Sequence, residues 1–276
     1  VISRRRWLAA AAALPLSARK APGLQIGTMD GVLRLSGKPE AVALARSIGF
    51  DALQVTLGRA GPDGKLPLED AAVQARYREE AGRLGLPIGD AYLDILHANC
   101  LKDDRQAKEW VRRGVAATRA LGARILMTVF FGRCALADRA EMDAAAGAFR
   151  ELAPEAARAG VVLGFENLLE ARDNLRVLDQ VASDAFRIWY DVGNATSLVG
   201  ADAATEIRDL GRDRICALHF KDRGYLGEGK VDFPSVLDAL DDIGYRGCAY
   251  LETSAPSGRV QDDVRRNLAY LRRLAA

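Results

Sequence analysis

The chain has 276 residues, 49% of them apolar, which supports a sizeable core and argues against disorder. Its 39 basic and 37 acidic residues nearly cancel, so no basic excess points to nucleic acid. The length suits one large domain or two small ones.

In chain order, the first 21 residues stand apart. Ser3-Arg4-Arg5-Arg6-Trp7-Leu8 leads into an apolar stretch, Ala9 to Leu16, followed by Ser17-Ala18-Arg19-Lys20-Ala21. A basic start, an apolar stretch too short to span a bilayer and small residues after it describe a secretory leader. The paired arginines before Trp-Leu resemble the twin-arginine variety; the plainer alternative is a basic cap on an alanine-rich helix. The expected organisation is therefore an export leader over 1–21 and a catalytic domain over 22–276, with the mature protein periplasmic or secreted. Five basic and no acidic residues leave with the leader, taking the net charge from +2 to −3. No later stretch approaches transmembrane length, so no stable membrane insertion is expected once the leader is removed.

After the leader, apolar runs alternate with amphipathic ones. Strands are expected at Leu24–Thr28, Ala52–Thr56, Pro87–Tyr92, Arg124–Val129, Val161–Glu166, Arg187–Asp191, Ile215–His219 and Cys248–Glu252. Helices are expected near Pro39–Ile48, Glu69–Leu84, Asp104–Leu121, Arg139–Ala159, Leu175–Val181, Ala203–Leu210, Pro234–Ile243 and Arg259–Leu274. Glycines at 49, 85, 122, 160 and 244 stop five of them just before the next strand. Eight strand–helix units in about 250 residues predict an α/β fold, a single (β/α)8 TIM barrel with its active site at the carboxyl ends of the strands. An open doubly wound sheet uses the same local pattern, but no Gly-x-Gly-x-x-Gly follows the first strand.

Glu166, Asp191, His219 and Glu252 each end one of the last four strands, at separations of 25, 28 and 33 residues. On parallel neighbours in a closed ring, all four emerge at one edge. Each alone could satisfy a loop amide or pair with an arginine. Together, clustered carboxylates repel one another, and a dication relieves the repulsion. Three carboxylates and one imidazole make a hard divalent-metal site.

Five motifs in order carry a family likeness: Phe165-Glu166-Asn167, Tyr190-Asp191-Val-Gly-Asn194, Leu218-His219-Phe-Lys221-Asp222, Leu226-Gly-Glu-Gly229 with Val231-Asp-Phe233, and Leu251-Glu252. The chain from about Leu24 onward resembles the xylose isomerase-like barrel superfamily, and within it the sugar phosphate isomerase/epimerase group. The resemblance implies that Glu166, Asp191, His219 and Glu252 bind one divalent ion, with manganese or magnesium favoured over cobalt or zinc. It also implies that Glu166 and Glu252 flank the substrate carbon that exchanges its proton. The chain departs from many relatives at Asn194, where a histidine is common. With only His97 and His219 in the chain, the multi-histidine zinc cluster of the endonuclease IV branch is excluded, and one metal is expected.

Other residues have two readings each. Asn194 could hydrogen-bond a sugar hydroxyl. Lys221, two residues past His219, could hold a substrate oxygen or be a solvated loop lysine paired with Asp222. His97 could touch substrate or bond to backbone. Phe130, Phe131, Trp189 and Tyr225 could wall a sugar ring; core filling explains Trp189 equally. Alternation turns Cys216 away from the barrel interior and Cys248 towards it, and buried free thiols are expected of all four cysteines. The five arginines of 259–273 fit a solvated helix face rather than a nucleic-acid patch.

A metal that polarises a carbonyl acidifies the adjacent C–H bond, and two carboxylates on opposite sides can then move the proton through an enediolate. The reading is a metal-dependent sugar isomerase or epimerase. The alternatives are a lyase acting on a keto-sugar, cyclitol or 3-keto-glycoside at the same site, and a non-catalytic sugar-binding barrel. The expected partner is a small carbohydrate; a homo-oligomer is compatible with the sequence.

Overall fold

The structure, a computed structural model, describes residues 23–276; the expected leader lies outside the described residues. Eight parallel strands close in sequence order into a barrel. They are β1 Gln25–Met29, β2 Leu53–Thr56, β3 Ile88–Tyr92, β4 Ile125–Val129, β5 Val162–Glu166, β6 Phe186–Asp191, β7 Ile215–Phe220 and β8 Cys248–Leu251. Pairing of β1 with β8, from Gln25 on Cys248 to Thr28 on Leu251, closes the ring. The helices that return the chain are α1 Glu40–Ile48, α2 Ala71–Leu84, α3 Arg105–Leu121, α4 Arg139–Ala159, α5 Ala171–Val181, α6 Ala203–Leu210, α7 Phe233–Asp242 and α8 Val260–Ala275. The expected strands and helices are all present, with ends displaced by four residues at most.

Local chemistry sets these boundaries. Asp70, Asp104, Asp138, Asp202 and Asp232 accept bonds from backbone amides in the first turns of α2, α3, α4, α6 and α7, satisfying donors that a helix start leaves unpaired. Gly49, Gly85, Gly122 and Gly160 end α1 to α4 in the left-handed conformation. Between helices and sheet, Phe130, Phe149, Phe165 and Phe186 pack ring on ring with centroids 4.3–5.8 Å apart.

The barrel's interior holds a layer of aromatic rings. Trp189 stacks on Tyr250 at 5.6 Å and meets His219 edge-on at 5.0 Å. Tyr250 has room because Gly27 and Gly89 carry no side chain; a Cβ there would come within 2.5 and 2.1 Å of it.

Two expectations about cysteine are corrected. Cys100 and Cys134 form a disulfide, because the loops after β3 and β4 are neighbours in the ring although 34 residues separate them in sequence. Cys216 faces into the barrel beside Trp189, its sulfur 3.2 Å from where a Cβ of Gly164 would stand. The register slips between Ile188 and Trp189, which pair with Ile215 and Ala217, so Cys216 is the extra residue and strict alternation fails there. Cys216 and Cys248 remain free. No helix among the described residues is long and apolar enough to cross a membrane.

Candidate metal centre

β5 to β8 deliver Glu166, Asp191, His219 and Glu252 to one point at the carboxyl edge of the barrel. One donor atom from each lies within 4.8 Å of all the others. His219 Nδ1 is 2.8 Å from Glu166 Oε1 and 3.4 Å from Glu252 Oε2. Glu166, Asp191 and His219 are buried, whereas 35% of the Glu252 side chain is exposed and forms the open side.

Two of the donors, Asp191 and His219, are held from behind. Asp191 Oδ1 accepts the amide of Asn194 at 2.9 Å, capping the short helix Val192–Asn194 that follows β6. Its other oxygen, Oδ2, is buried and lies 2.8 Å from Lys221 Nζ without hydrogen-bond geometry. His219 Nε2 lies 3.2 Å from Gln54 Oε1, at the end of β2. Gln54 Oε1 can only accept, which puts a proton on Nε2; without an ion Nδ1 also carries a proton towards Glu166 Oε1, and Nδ1 is the nitrogen left to serve as a metal ligand.

The electrostatics reflect three carboxylates crowded into one place. Burial, with repulsion from Glu252 and Glu166, lifts the Asp191 carboxyl to about 7 against the attraction of Lys221. Burial disfavours the His219 imidazolium, but Glu166 and Glu252 outweigh it and push the group up to about 9. Burial also opposes ionisation of Glu252, yet His219 and Lys221 hold its carboxyl below the usual range. An under-bonded buried carboxylate oxygen and a hard donor set fit a divalent cation. The four residues can hold a metal ion.

The other expected site residues fall around this cluster. Lys221 reaches into it, 2.7 Å from Glu252 Oε2. It does not pair with Asp222, whose carboxylate instead accepts the amides of Arg223, Gly229 and Lys230 and ties the rim turn. Asn194 and Lys221 line an adjoining pocket of about 390 Å³ with Ser197, Leu198 and Arg223. His97 lies on the rim rather than in the cluster. Its Nε2 is 2.5 Å from the Tyr92 hydroxyl, and its ring stacks on Phe131 at 6.0 Å.

Of the four proposed wall aromatics, Phe131 lies on the rim beside His97 and Trp189 in the barrel interior, against His219 and Tyr250. Phe130 is corrected: it is fully buried on the helix side. Tyr225 donates its hydroxyl to Asp263 and carries Arg266 over its ring. Glu228 pairs with Arg266, both more than half exposed.

Sequence reasoning missed Gln54, Asp90 and Tyr92. Asp90, buried beneath the cluster, accepts a bond from Tyr250, and one of its oxygens has no partner. Burial raises its carboxyl to about 7. The signal was polar residues alternating with apolar ones in Leu53-Gln54-Val55-Thr56 and Asp90-Ala91-Tyr92.

A family profile described as xylose isomerase-like TIM barrel matches residues 42–274. The chain is 28% identical over 201 residues, 72% of each protein, to a 2-epi-5-epi-valiolone 7-phosphate 2-epimerase of Actinoplanes sp.. It superimposes on the D-allulose 3-epimerase of Methylomonas sp. with a TM-score of 0.72 at 22% identity, covering 91% of this chain and 98% of that one. For the 3-keto-D-glucoside 4-epimerase of E. coli the TM-score is 0.72 at 17% identity, covering 91% and 99%.

Proposed function

This chain belongs to the xylose isomerase-like TIM barrel family, and from that premise we propose that it is a divalent-metal-dependent sugar epimerase or isomerase. The single observation that carries the proposal is the convergence of Glu166, Asp191, His219 and Glu252 at the open edge of the barrel. Epimerases among its relatives, one named for a keto-glucoside, support sugar substrates.

Glu166, Asp191, His219 and Glu252 would hold one ion, manganese or magnesium by the hardness of the donors. Such an ion, when bound, acts as a Lewis acid towards a carbonyl and its neighbouring hydroxyl. Glu166, at the end of β5, and Glu252, just past β8, reach the same nitrogen of His219 at 2.8 and 3.4 Å, so two carboxylates from different strands are available to one substrate carbon. One glutamate removes the proton next to the carbonyl and the other returns a proton from the opposite face. Asp191 and His219, fixed by the Asn194 amide and Gln54, serve as anchors. Asn194 and Lys221 would bind sugar oxygens in the adjoining pocket, and His97 would contact substrate from the rim. Export is proposed as well, which favours a free sugar or oxidised glycoside. Residues 1–21 support it, as does a disulfide, a bond that persists in oxidising compartments.

The test is proton exchange. Manganese-loaded protein is incubated in deuterated water with a panel of free ketoses and 3-keto-glycosides, and substrate mass is followed. A one-dalton gain without other change of mass is expected in wild type, and loss of the gain in Glu166→Gln and Glu252→Gln with the fold intact. Undiminished exchange in both variants would rule out these roles.

A further inference from the structure

Lys221 occupies the centre in a way the proton chemistry does not require. Its ammonium is seated between two members of the donor cluster, 2.7 Å from Glu252 Oε2 and 2.8 Å from Asp191 Oδ2. A dication drawing on Asp191 and Glu252 needs the same two carboxylates. The chain is shaped to let the lysine in: a Cβ on Gly193 would come 2.4 Å from Lys221 Cγ and 2.7 Å from its carbonyl oxygen. On its other side the lysine faces the pocket lined by Asn194, Ser197 and Leu198, and 28% of its side chain is exposed. A four-carbon stem with several rotatable bonds can place the ammonium at either address. Charge separates the two states. A dication brings two positive charges to these carboxylates where the ammonium brings one, so with the ion in place they no longer need the lysine between them.

We propose that Lys221 is a tethered counter-ion of the metal centre: it holds Asp191 and Glu252 together in the metal-free protein, is displaced when the divalent ion enters, and then stands in the adjoining pocket as a cationic contact for substrate oxygen. The proposal rests on reading the four-residue cluster as a metal site.

Two measurements test it, neither using turnover. Manganese binding is followed by titration calorimetry in wild type and Lys221→Met. Removing the competitor is expected to tighten binding at least about tenfold and to lower the melting temperature of the metal-free protein by about 4 °C. Equal or weaker manganese binding in Lys221→Met, with wild type binding normally, overturns the exchange and leaves the metal site standing. Wild type that binds no manganese overturns both. Should metal-free Lys221→Met fail to fold, wild type decides by amine acetylation read by peptide mass spectrometry. Lys221 is expected to react several-fold faster with manganese than without; an unchanged rate overturns the proposal.

Discussion

At the scale of single residues, the centre depends on groups that never touch a substrate. Gln54 accepts from the ring nitrogen of His219 that faces away from the carboxylates. Gln54→Leu is expected to weaken manganese binding about 10- to 100-fold, measured by calorimetry, while Gln54→Glu, which keeps an acceptor, holds it; equal affinity in all three would remove Gln54 from the centre. Asp90 gives a pH signature. Its carboxyl titrates at about 7 in the folded chain against 3.8 when unfolded. A raised acid contributes stability that is full below its unfolded value and is lost as pH rises through the folded one. Between about pH 4 and pH 8 wild type is expected to lose on the order of 3 kcal/mol relative to Asp90→Asn, read from denaturant melts; parallel curves would contradict this. The four donors were legible in the sequence because each closes an apolar run. Gln54 and Asp90 were not singled out: a polar residue inside a strand states neither its partner nor its depth.

At the scale of elements, the rim is built from loops whose contacts cross between strand–helix units. The Cys100–Cys134 disulfide joins the loop after β3, which carries His97, to the loop after β4, which carries Phe131. Lys102 reinforces the junction through the Ala135 carbonyl and Glu141. Replacing both cysteines by serine is expected to cost about 2–4 kcal/mol in a denaturant melt. It should also raise the KM for a keto-sugar with manganese affinity unchanged, because no metal donor lies on these loops. A lowered manganese affinity would show that the two regions are coupled. Helices and strands could be read from capping aspartates, stopping glycines and periodicity. The disulfide could not, since spacing along the chain does not reveal which loops become neighbours. Cys216 was misplaced for a related reason: one extra residue in β7 reverses the face of whatever precedes it.

At the scale of the whole molecule, the ring turns sequence distance into proximity. Residues 25, 28 and 33 positions apart converge because each interval is one strand, one return helix and two loops, and the last four strands are consecutive in a closed barrel. A buried group of three carboxylates around an imidazole is costly without a cation, so a bound ion should stabilise the folded chain by an amount that grows with the logarithm of its concentration above Kd. The most direct measurement is the manganese content of the protein after equilibrium dialysis, by plasma mass spectrometry, in wild type and in Asp191→Ala and His219→Ala confirmed as folded by circular dichroism. One ion per wild-type chain is expected, with little or none retained by either variant. A folded wild type that retains no divalent ion under saturating conditions, or variants that retain a full equivalent, would contradict a metal centre built from the last four strands.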